Sequence, residues 1–125
     1  MESLISLGEE KVRLKANAIT AMHYKNQFKS DILKDTLAAI GGIEAIMQLR
    51  DLEQASDYQK LHTMIDNIDT VLIYQLVWSF AKTADRNFVP FYQWMEVAEL
   101  PPVTELLLED NFVELLIGNV YRKKR

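Results

Sequence analysis

Polar and apolar side chains alternate at the start of the chain. Lys11-Val12-Arg13-Leu14-Lys15 has the two-residue period of a strand. It follows Leu4-Ile5-Ser6-Leu7 across Gly8-Glu9-Glu10, and a three-residue connection containing glycine suits a hairpin. Two lone strands need something to pack on, so residues 1–16 read either as a short hairpin or as an irregular arm feeding the first helix. From Asn17 onward the period is helical. Asn17 predicts the N-cap of a helix to about Phe28, with Ala18, Ala21, Met22, Tyr24 and Phe28 as its apolar positions. Ser30 or Asp31 starts a second helix, whose stripe is Ile32, Leu33, Leu37, Ile40, Ile43, Ile46, Met47 and Leu49. Gly41-Gly42 interrupts it. Each interior glycine costs about 1 kcal/mol relative to alanine, so the pair predicts a kink, a split or a close backbone contact.

Ser56-Asp57-Tyr58-Gln59 has the form of a capping box. It predicts the longest helix, about 57–84, with the stripe Leu61, Ile65, Ile68, Leu72, Leu76 and Phe80. From Val71 to Ala81 apolar residues point in nearly every direction, which predicts a central, enclosed helix. Pro90 opens a short helix carrying Phe91, Trp94, Met95 and Val97. Beyond Pro101-Pro102, Thr104 to about Tyr121 reads as the last helix. The predicted fold class is mainly α: about five helices in one compact, bundle-like domain over 1–121, with the hairpin or arm at 1–16 and a basic tail at 122–125.

Composition narrows the function more by exclusion than by suggestion. The 125 residues fit one core, and 49% apolar with 26% charged residues argues against wholesale disorder. Cysteine is absent, so disulfides, thiolate metal sites and cysteine nucleophiles are excluded. The net charge of -4 is unevenly placed. Residues 1–34 carry +2 (six Lys/Arg, four Asp/Glu), residues 35–121 carry -10 (four against fourteen), and Arg122-Lys123-Lys124-Arg125 carries +4. An acidic body repels nucleic-acid phosphates. The tail reads as a solvated end, with a contact to RNA or an acidic protein as the alternative. The most apolar run, Val71 to Trp78, is far shorter than the roughly 20 residues of a membrane span. No leader pattern precedes it, so a cytoplasmic protein away from the membrane is expected.

Candidate chemistry is sparse. His62, Asp66 and Asp69 fall at i, i+4 and i+7, so one helix face could offer them to a metal; a plain polar face is the stronger reading. His23 has no carboxylate at fixed spacing and reads as a boundary side chain. No phosphate-binding glycine loop or nucleophile elbow is present. No enzyme, cofactor or metal is expected. The last helix says more. Leu106, Leu107, Leu108, Phe112, Val113, Leu115, Leu116, Ile117 and Val120 cover half its cylinder or more, whereas a peripheral helix needs a stripe about 100° wide. Phe88, Phe91, Tyr92 and Trp94 form an aromatic group just before it. These residues are either core or, in part, a groove or self-association face.

The order of residues also resembles the tail assembly chaperones of long-tailed bacteriophages, in particular the small ones of phages and prophages of Gram-positive bacteria. A β-like start leads into Tyr24-Lys25-Asn26-Gln27-Phe28-Lys29-Ser30-Asp31-Ile32-Leu33. Val77-Trp78-Ser79-Phe80-Ala81-Lys82-Thr83-Ala84-Asp85 then precedes Pro90-Phe91-Tyr92-Gln93-Trp94. The likeness spans roughly residues 4–121. It implies a non-enzymatic protein that binds the long, helical, aggregation-prone tape measure protein in the host cytoplasm, forms homo-oligomers and is absent from the finished virion. It also implies a longer frameshifted form in many members, with which Lys123-Lys124 is compatible. Phe91, Trp94, Leu107, Leu108, Phe112 and Leu116 are the expected client-binding residues. The alternative is a small regulatory or adaptor protein that uses its basic C-terminal tail on nucleic acid.

Overall fold

The computed structural model describes residues 2–50, 69–98, 106 and 109–120. Strands β1 (Glu2–Leu7) and β2 (Glu10–Lys15) pair antiparallel with Ile5 opposite Val12 and Leu7 opposite Glu10. The connection is two residues, Gly8-Glu9, and not three. Gly8 takes a φ of 63°, the left-handed value that a primed hairpin turn requires and that glycine adopts without steric cost. The hairpin is thus observed, and its inward side chains Ile5, Leu7, Val12 and Leu14 are buried. Glu2 reaches Arg13 (3.5 Å) and Lys15 (4.0 Å) on the exposed face, where such pairs contribute little.

Helix α1 (Ala18–Phe28) begins at Asn17, as the sequence predicts. The Asn17 side chain accepts from the Ile19 N–H, and the Thr20 hydroxyl accepts from the Asn17 N–H. Lys29 ends it in a left-handed conformation, its N–H donating to the Lys25 carbonyl. Two residues later the Asp31 carboxylate accepts the Leu33 N–H at 2.8 Å and so caps α2 (Ile32–Arg50). The corner is therefore short, and it sets the start of α2 against the end of α1. Helix α2 runs through Gly41-Gly42 without a split.

Helix α3 (Thr70–Ala84) is the centre of the fold. Ile73 and the six consecutive residues Leu76 to Ala81 are buried, as its all-round apolar pattern predicts. Helix α1, α2 and strand β2 pack on it. Its start departs from expectation. Asp69 has an extended backbone, and its carboxylate accepts the Leu72 N–H at 3.1 Å. A satisfied N-cap wins over helix propagation here, so the helix begins at Thr70 and does not run through Asp69. The Ser56–Gln59 capping box lies outside the described residues. Trp78 donates its indole N–H to the Val89 carbonyl at 2.8 Å, which ties α3 to the loop before α4 (Phe91–Val97). The last helix, α5 (Asp110–Val120), starts later than the expected Thr104: Glu109 lies outside it, its N–H bonded to the Leu106 carbonyl. It packs on α2 and β1, and the Asn111 amide donates to the Leu4 carbonyl at 2.8 Å. The fold is mainly α: among the described residues, five helices pack compactly with an N-terminal two-stranded hairpin.

One buried polar contact links three helices. The fully buried Tyr24 of α1 donates its hydroxyl to Asp35 of α2 at 2.5 Å, with Gln75 Oε1 of α3 at 3.2 Å. Burial, and then the Asp35 carboxylate, push the Tyr24 hydroxyl far above its ordinary ionisation range. An unfolded tyrosine ionises near pH 10, so the folded state holds a proton that the unfolded state releases. Stability from this group is complete below pH 10 and falls above it, by up to about 1.4 kcal/mol per pH unit. Tyr24→Phe is expected to cost about 1.5–3 kcal/mol near neutral pH, because it strips the donor from an enclosed carboxylate. It should also flatten the loss of stability between pH 10 and 11. Urea unfolding of both proteins across pH 7–11 measures the two effects.

Candidate partner-binding face

Among its described side chains, helix α2 turns two large apolar residues of the expected stripe outward. Among the described residues, Ile32, Asp35, Thr36 and Ala39 are buried, and their i, i+3, i+4, i+7 spacing makes one inward stripe. Two of the four are polar. Leu33 and Leu37, by contrast, are 50% and 47% exposed. Each lies two residues from Asp35, about 200° round the cylinder, so the inward turn of Asp35 to Tyr24 sends both leucines outward. Ala38 and Gly41 are exposed on the same helix, and a Cβ added at Gly41 would meet nothing within 4 Å. Of the three outcomes expected for the glycine pair, a close contact is not made over Gly41 among the described residues. Leu33, Leu37 and Gly41 therefore form an outward i, i+4, i+8 row, interrupted in this stretch by one charged side chain, Lys34.

The expected client-binding residues lie elsewhere. Phe91, Trp94, Phe112 and Leu116 are all buried, so in this chain they are core and present no free surface. Leu107 and Leu108 lie outside the described residues. The reason is the enclosure of α3: Phe80 meets Phe112 edge to face, with ring centroids 6.4 Å apart, and Trp78 meets Phe91 at 6.1 Å. Phe28 links the aromatic group, at 4.9 Å from Tyr24, 5.7 Å from Trp78 and 4.8 Å from Phe91. Tyr24, Phe28, Trp78, Phe91 and Trp94 thus meet in one packed cluster, and Phe80 packs separately on Phe112. Their work in this fold is architectural. The exposed apolar residues of α4 are instead Tyr92 and Val97. A helical wheel separates them from the stripe Phe91, Trp94, Met95 and Ala98, a signal that grouping by residue type misses.

The other candidates resolve simply. Asp69 is a helix cap and leaves the helical face it was expected to share; His62 and Asp66 lie outside the described residues, as does Arg122–Arg125. His23 is half-buried, and burial together with the nearby Lys82 ammonium lowers its pKa. It is a boundary side chain, as expected. No helix among the described residues is long and apolar enough to cross a membrane. Comparisons with protein-family models, with curated proteins and with solved structures return no match.

Three substitutions separate face from core. Phe112→Asp should unfold the protein, because it puts an unpaired charge into enclosed space. Leu37→Asp should shift stability by no more than about 0.5 kcal/mol, as surface changes do. Gly41→Ala should add about 1 kcal/mol, since alanine propagates helix better and nothing blocks its methyl. Thermal unfolding followed by circular dichroism reads all three.

Proposed function

We propose that the chain is an assembly chaperone of the phage-tail type, which binds and solubilises the tape measure protein in the host cytoplasm during tail morphogenesis and does not remain in the virion. The observation that carries this reading is the outward row of Leu33, Leu37 and Gly41 on α2. A helical client with apolar residues at matching i, i+4 spacing fits such a row, with its backbone approaching closest over Gly41. Each leucine is about half exposed, and full burial of a leucine is worth about 1.5–3 kcal/mol. The pair therefore supplies only about 1.5–3 kcal/mol, a weak single site. Weak sites suit a chaperone that must release its client, and homo-oligomers arrayed along an extended client restore affinity through avidity. The net negative charge of residues 35–121 keeps a client-bearing complex soluble.

The test is co-expression with the tape measure protein encoded in the same genome. Leu33→Glu/Leu37→Glu is expected to keep native helix content and to lose at least about tenfold of the captured client, which corresponds to 1.4 kcal/mol. Capture should survive 0.5 M salt, because apolar contacts are not screened. Undiminished capture by the folded double variant contradicts the reading. Binding that instead vanishes steeply with salt and follows Arg122–Arg125 points to the nucleic-acid adaptor.

A further inference from the structure

The hairpin turns one face to solvent. Its register sets Glu2, Leu4 and Ser6 of β1 opposite Lys15, Arg13 and Lys11 of β2, and residues directly opposite in an antiparallel pair point to the same side. Ile5, Leu7, Val12 and Leu14 face the core, so these six face outward. They carry three cations against one carboxylate, a net +2, around an apolar side chain, Leu4, that is 45% exposed. Helix α5 shows the reverse pattern. Asp110, Glu114 and Ile117 are exposed, and their i, i+4, i+7 spacing makes one outward row. Two carboxylates there precede an apolar side chain that is 44% exposed. Among the described residues neither carboxylate is in an ion pair. The two faces share a border, because the Asn111 amide of α5 donates to the Leu4 carbonyl of β1 at 2.8 Å.

Adjacent faces of opposite charge on one molecule define a partner. A two-fold axis at their border lays each face on its complement in a second copy, and the assembly closes at two. Leu4 then meets the partner's Ile117. Arg13, directly across from Leu4, meets the partner's Glu114, which lies about one turn before Ile117. The same contact is made twice. An unrelated acidic protein satisfies the hairpin face alone, whereas a second copy satisfies both. We propose that the outward faces of the hairpin and α5 form a self-contact that pairs this chain into a two-fold dimer. It gives the homo-oligomer of the function proposed above a specific contact. It is argued from these two faces alone, and its test involves no client.

The full chain is followed by sedimentation equilibrium up to about 1 mM, which reads dissociation constants as weak as millimolar. Wild type is expected to dimerise. Arg13→Glu and Glu114→Arg change exposed positions and should keep native helix content. Each places like charges at both copies of the contact and should weaken the dimer at least about tenfold. In an equimolar mixture of the two variants every such contact again joins opposite charges, so a mixed dimer should form within about threefold of wild type, the range of an exposed ion pair. That recovery also separates a lost contact from a lost fold. A wild-type chain that stays monomeric at 1 mM overturns the proposal. So does undiminished dimerisation of either variant, or a mixture that associates no better than its components.

Discussion

The hydrogen bond from the Tyr24 hydroxyl to Asp35 decides how α2 is turned, and with it what the molecule shows to its surroundings. A buried carboxylate needs a donor, since an unpaired one costs several kcal/mol. Tyr24 is the donor, held in place by α1 and by its ring contact with Phe28. With Asp35 and Thr36 facing inward, a helix of 3.6 residues per turn has no choice but to put Leu33 and Leu37 outside. Asp35 and Thr36 occupy core positions on α2, and Leu33 and Leu37 occupy surface positions.

That exchange is possible because α3 already fills the centre. Its six consecutive buried residues, Leu76 to Ala81, draw apolar faces from the elements around them. The hairpin gives Ile5, Leu7, Val12 and Leu14; α5 gives Phe112, Leu115 and Leu116; the loop and α4 give the aromatic cluster around Phe91. The core does not need Leu33 and Leu37. They stay exposed, on a helix whose outward row is open as far as Gly41.

Much of the fold was legible in the sequence. The alternation of residues 4–15, the Asn17 and Asp31 caps and the all-round apolar stretch after Val71 depend on local chemistry, and each appears where its residues predict it. The placement of surfaces was less legible. Apolar pattern alone assigns Leu33 and Leu37 to the same stripe as Ile32, because nothing in one dimension says that a tyrosine eleven positions earlier will claim Asp35. The same blindness leaves Phe91, Trp94, Phe112 and Leu116 open between core and partner surface: an enclosed and an exposed apolar side chain look alike until the central helix is in place, and the structure buries all four. The break at Asp69 was readable in principle, since aspartate is a strong N-cap, but it competed with a longer helical period that ran through it.

The absence of cysteine from the chain makes the central claim directly measurable. Single cysteines placed at 33, 36, 37 and 39 are reacted with a maleimide at low protein concentration, and their rates are compared with the unfolded chain. The account predicts near-unfolded rates for Leu33→Cys and Leu37→Cys and strong protection for Thr36→Cys and Ala39→Cys. Protection of position 37 as strong as that of position 39, in a folded and dilute protein, would contradict it.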